Sequence, residues 1–170
     1  MWAEILQKQR GERFAGLRGT DIRGRFPVRE TLLQPLLQQA VRSSDGGIER
    51  LLITIQDANM FILDATVALL FFHKNIRLQL RIDPVVDFSV SPLMKIHIVE
   101  SQGLPGFVLE FLLNLLPFPE SISIMPKLVT INLKTALTRR KLDEFVPLLK
   151  RLSLSTQRGC ATIDFHFGVD

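Results

Sequence analysis

In the run IRLQLRI, Ile76, Leu78, Leu80 and Ile82 alternate with Arg77, Gln79 and Arg81. A strict period of two puts the first set on one face of an extended strand and the second on the other. A helix would scatter both sets around its circumference, so this run predicts a strand with one dry face and one wet face. The same period recurs along the chain. Leu51, Ile53 and Ile55 share a face in IERLLITIQD; Phe61, Leu63, Ala65, Val67 and Leu69 share one in DANMFILDATVALLFF, against Asp64 and Thr66. VVDFSVS and LMKIHIVES continue the series, with Met94, Ile96 and Ile98 opposed to Lys95 and His97. Further on, Val129, Ile131 and Leu133 alternate with Thr130 and Asn132, and Ala161, Ile163, Phe165 and Phe167 with Thr162, Asp164 and His166. Asp57-Ala58-Asn59 reads as a hairpin turn, and His73-Lys74-Asn75 as the turn into the IRLQLRI strand. Most of these strands follow one another without a helical crossover, which predicts one antiparallel sheet.

Three segments break the alternation. FAGLRGTDIRGRF, Phe14 to Phe26, reads as an irregular edge strand, and Pro27 then marks the start of a helix through PVRETLLQPLLQQAVR. Leu32, Leu33, Leu36, Leu37, Ala40 and Val41 fall at helical spacing there, with Pro35 kinking or restarting the helix and SSDGG turning the chain after it. TRRKLDEFVPLLKRL predicts a second helix, capped by Thr138, with Leu142, Phe145, Val146, Leu148 and Leu149 on its apolar side. The third is GLPGFVLEFLLNLLPFP. Between Pro105 and Pro117 it makes a helix of roughly 17 Å at ~1.5 Å per residue. A membrane span needs about 20 apolar residues, so this helix does not cross a bilayer. Its rows Phe107/Phe111/Leu115, Val108/Leu112/Leu116 and Leu109/Leu113 leave only Glu110 and Asn114 as a polar stripe. An amphipathic helix normally carries one apolar stripe. This one is buried on several sides, or it faces something apolar that the chain does not supply. The expected class is α+β: an antiparallel sheet with three apolar helices on its dry face, in one domain over residues 1–170, with 1–13 as a loose tail.

Phe occurs 12 times, Trp once and Tyr not at all, a choice of bulk without polar handles that suits a dry interior. The single cysteine, Cys160, excludes an internal disulfide and a cysteine-based zinc cage. MWAEILQKQRGERFAG has no apolar run of signal-peptide length. The expected location is cytoplasmic or membrane-associated as written, and the cell envelope if a leader has been removed. Net charge is +4, and the basic residues thicken toward the start. Arg10, Arg13, Arg18, Arg23 and Arg25 are the candidate contacts to an anionic membrane, against the plainer reading of a solvated face. No series of aromatic residues alternates with them as a platform for single-stranded nucleic acid requires, so nucleic acid is not an expected partner.

Chemistry is sparse. A phosphate loop, a dinucleotide fingerprint, His-Glu-x-x-His and Gly-x-Ser-x-Gly are all absent. His73, His97 and His166 fall in a turn or at polar strand positions and read as surface residues. Cys160 and His166 share a strand face about 20 Å apart at ~3.3 Å per residue, too far for a thiol nucleophile and its base. Asp57, Asp64, Asp83, Asp87 and Asp164 sit at turns or on wet faces and form no evident pair. No enzyme activity, cofactor or metal is expected.

What remains is surplus apolar surface. The plain account is a two-layer core. The sharper account is a groove between sheet and helices that takes an apolar ligand, which gains ~0.8 kcal/mol per buried CH₂. Its walls would be Ile76, Leu78, Leu80 and Ile82 with Phe107, Val108, Phe111, Leu112 and Leu115. The partner is then a lipid or fatty acid bound without catalysis. The alternative is an interaction module, such as a homodimer, that buries the same helix faces.

The order IRGRFPVRETLLQPLL, long hairpins, GLPGFVLEFLLNLL, ISIMPKLVTINL, closing helix and strand resembles the small bacterial tubular lipid-binding (TULIP) proteins, including the LmeA-like phospholipid-binding group. The likeness runs over about residues 14 to 169 and is one of pattern and order, without an invariant motif. It implies a strongly curved antiparallel sheet rolled around helices, with an acyl chain in the groove and no catalytic residues. Members of that group are often exported or envelope-anchored.

Overall fold

The alternating segments become strands of two antiparallel sheets in a computed structural model, which describes residues 19–42, 48–69, 72–102, 121–125, 127–139, 142 and 145–168. Strand β1 (Asp21–Arg29) leads into helix α1 (Glu30–Arg42). Strands β2 (Ile48–Ile55), β3 (Met60–Leu69) and β4 (Phe72–Ile82) follow, then β5 (Val85–Asp87) and β6 (Leu93–Gln102). The chain closes with β7 (Ile122–Met125), β8 (Leu128–Asn132), helix α2 (Leu133–Arg139), β9 (Leu149–Gln157) and β10 (Cys160–Gly168). One sheet has the order β1-β10-β9-β5, the other β2-β3-β4-β6-β8-β7. The class is α+β, mostly antiparallel sheet with two short helices among the described residues.

Two hairpin turns join the sheets. Ala58 and Asn59 both have positive φ, 56° and 59°, and the Met60 N–H donates to the Asp57 carbonyl at 3.2 Å. This is the primed turn whose twist matches that of the flanking strands. It docks on the β9–β10 turn: Asp57 Oδ1 accepts the Arg158 N–H at 3.1 Å and Thr156 Oγ1 accepts the Asn59 N–H at 2.6 Å. The Gly159 N–H donates to the Ile55 carbonyl at 3.0 Å, and the Glu30 N–H to the Gly159 carbonyl at 3.1 Å. Beneath this junction lies a buried cluster of Ile55, Phe61 and Ala161, packed by Leu33, Ile53, Leu80, Ile82 and Leu154. The core thus draws on both sheets and on α1.

Helix α1 lies along the outer edge of β2. Glu30 accepts the Ile55 N–H, Gln34 accepts the Ile53 N–H and donates to the Leu51 carbonyl, and Gln38 donates to the same carbonyl. Four residues of helix advance about 6 Å and two of strand about 6.6 Å, so side chains four apart meet backbone groups two apart. The open edge of the sheet is closed by side chains rather than by another strand.

Several expectations are corrected here. The strands form two sheets, because β5 leaves the meander to pair with β9, Val86 opposite Leu152. Pro27 lies within β1, opposite Thr162, and the helix begins at Glu30. On an edge strand a residue without an N–H is tolerated. Helix α1 runs unbroken through Pro35. His73, Lys74 and Asn75 belong to β4, paired with Ala68, Val67 and Thr66. The VVDFSVS strand stops at Asp87, where the carboxylate caps a turn by accepting from the N–H and hydroxyl of Ser89 at 2.9 and 2.5 Å. Leu133 opens α2 instead of extending β8, because Asn132 Oδ1 caps the helix by accepting the Thr135 N–H at 3.1 Å. Thr138 is inside α2, its hydroxyl bonded back to the Lys134 carbonyl, and is not a cap. The helix predicted over TRRKLDEFVPLLKRL gives way to strand from Leu149. The predicted SSDGG turn lies outside the described residues.

Candidate functional site

The register across the six-stranded sheet sets out its apolar face in rows. One runs Ile53, Leu63, Leu78; a second runs Ile55, Phe61, Leu80, Ile98. A third runs Ile82, Ile96, Val129, Ile124, followed by Met94, Ile131 and Ile122. A one-residue bulge at Val99 keeps Leu80 opposite Ile98 while Gln79 faces Glu100. Paired regularly, with Val99 not bulged out, β6 would turn Glu100 to the apolar face. Ile55 is completely buried, and Phe61, Ile76 and Ile98 nearly so. Away from the junction the covering thins: Leu63, Leu78, Ile96, Val129, Ile131, Ile122 and Ile124 are all half-buried.

The opposite face carries Arg77, Gln79, Arg81, Lys95 and His97. His97 bonds Asp83 at 3.0 Å, His73 bonds Glu49 at 2.9 Å, and Arg77 stands 3.7 Å from Asp64. His166 bonds Asp21. Each histidine therefore has a carboxylate partner that spacing along the chain did not disclose. The His166 contact, then Arg23, holds the Asp21 carboxyl below its ordinary value, and Ser89 does the same for Asp87. These are electrostatic ties between strands. Among the described residues no group of histidine, cysteine and carboxylate side chains is arranged to hold a metal ion.

Of the predicted groove residues, Ile76, Leu78, Leu80 and Ile82 share the apolar face of β4, and Leu80 and Ile82 pack on the buried cluster. Phe107, Val108, Phe111, Leu112 and Leu115 lie outside the described residues, as do Arg10, Arg13 and Arg18. Arg23 and Arg25 are on the polar face of the four-stranded sheet, bonded to Asp21 at 3.1 Å and Asp164 at 2.7 Å. Asp164 raises the hold of Arg25 on its proton. That face also gathers Arg151 and Ser153 from β9, residues the sequence reading assigned to the end of a helix and beyond it. Among the described residues, no helix is long and apolar enough to cross a membrane.

Neither the protein-family models nor the curated proteins nor the solved structures contain a match to this chain.

Proposed function

We propose that the apolar face of the six-stranded sheet binds a lipid or fatty-acyl chain without catalysis. The observation that carries this reading is the half-burial of Leu63, Leu78, Ile96, Val129 and Ile131 on a face otherwise built as core. An acyl chain laid along those rows would gain ~0.8 kcal/mol for each methylene removed from water. It would need no polar contact from the sheet.

A second reading has its own observation. Ile22 and Phe26 on β1, and Leu32 and Leu36 one turn apart on α1, are 42–56% exposed. A homodimer covering them would use a different surface from the acyl groove. Native mass spectrometry of the purified chain separates the two. The acyl-binding reading expects a monomer carrying lipid-sized adducts that organic extraction removes. A dimer without adducts would favour the second reading. Bare monomer that also fails to take up added fatty acid would contradict both.

A further inference from the structure

We propose that the polar face of the four-stranded sheet is a site for a phosphate group, held between Arg23 and Arg151 across His166. The inference is independent of the acyl groove, which lies on the other sheet. Pairing puts Arg23 directly opposite His166, and His166 directly opposite Arg151. Neighbours on one face of a sheet stand ~4.5–5.5 Å apart at their Cβ atoms. Two guanidiniums therefore flank an imidazole in a single cross-strand row, which Asp87 continues beyond Arg151.

The row opens into a groove of about 730 Å³, lined by Arg23, Arg25, Arg151, Ser153, Asp164 and His166. Its one lining carboxylate, Asp164, is bonded to Arg25 at 2.7 Å. At the rim, Asp21 accepts from Arg23 at 3.1 Å and bonds His166. Asp87, opposite Arg151, already accepts two hydrogen bonds from Ser89. The Arg151 guanidinium takes part in no hydrogen bond or ion pair among the described residues, although its charge favours the Asp87 carboxylate. It is the guanidinium left with donors to offer, and the Ser153 hydroxyl lines the same groove. A tetrahedral anion with more than one charge suits two planar, multi-donor groups better than a single carboxylate does. The arginines here are largely solvent-exposed, so binding should weaken as salt rises.

The phosphate could belong to a phospholipid headgroup or to a soluble ester, and one experiment distinguishes the sources. Inorganic phosphate is titrated into the ¹⁵N-labelled full chain, with vesicle flotation on phosphatidylglycerol and on phosphatidylcholine in parallel. Saturable shifts at the Ser153 and His166 amides are expected. Arg151→Gln should weaken them about tenfold or more, since it removes hydrogen bonds to a charged group. Lys95→Gln, on the other sheet, should leave them unchanged. Flotation with phosphatidylglycerol that is lost in Arg151→Gln assigns the headgroup; phosphate shifts without flotation assign a soluble ester. The proposal is overturned if neither probe perturbs the groove amides, or if Lys95→Gln weakens binding as much as Arg151→Gln.

Discussion

Gln34 meets Ile53 across the edge of the six-stranded sheet, its amide oxygen accepting the Ile53 N–H at 3.0 Å. The same amide donates to the Leu51 carbonyl at 2.6 Å, so one side chain answers both backbone groups as a neighbouring strand would. With Glu30 and Gln38 on either side, it turns a helix face into a substitute edge strand.

Gln34→Ala should therefore destabilise the fold by roughly 1–3 kcal/mol, the range for leaving a partly buried polar group unsatisfied. Gln38→Ala should cost less, because Gln34 still donates to the Leu51 carbonyl. Urea denaturation of the two variants checks the order. Equal losses would mean that the bonds to Ile53 and Leu51 do not act as a pair.

Gly24 gives a test of opposite sign from the usual expectation. An alanine in a strand normally gains on glycine by roughly 0.5–1 kcal/mol through backbone entropy. Here an added methyl would collide with the ring of Phe165, which lies over Gly24. Gly24→Ala should instead cost roughly 1–3 kcal/mol, as overpacking does. Phe165→Leu in the same chain should recover part of it, visible as coupling in a double-mutant cycle on melting curves.

Acid stability should depend on Asp21. His166 first, then Arg23, favour its charged form and hold its folded-state value below the ordinary 3.8. A carboxyl depressed in this way contributes fully above 3.8 and loses that contribution as pH falls through the lower folded value. Between those two points the unfolded chain binds more protons, so stability rises with pH. Asp21→Asn should flatten that slope in urea titrations run on either side of 3.8, with Asp87, depressed by Ser89, supplying what slope remains. An unchanged slope would remove the His166–Asp21 tie as its source.

Strand faces were legible in the sequence because alternation depends only on local geometry. The β4 run and its partners Phe61, Leu63 and Ala65 stand where the period of two puts them. The division into two sheets was not legible, since it rests on β5 pairing with β9 across more than sixty residues of chain. Leu149 to Leu152 shows the limit most clearly. LLKRL fits a helical stripe, yet pairing with β10 and β5 draws it into a strand. Tertiary pairing overrides propensity in such short apolar runs. The Arg23–His166–Arg151 row was hidden for the same reason: its members lie on three strands, and β9 was not read as one.

The central claim, that an acyl chain lies on the apolar face of the six-stranded sheet, is tested most directly by placing one indole on each face of β4. Leu78 points to the apolar face and Gln79, the next residue, to the polar one. The measurement is uptake of a fluorescent fatty acid by the wild-type chain, Leu78→Trp and Gln79→Trp, with folding of each confirmed by circular dichroism. The account predicts saturable uptake by the wild type, a severalfold loss in Leu78→Trp as the indole fills the groove, and none in Gln79→Trp. No uptake by the folded wild type, or equal uptake by the two variants, would contradict it.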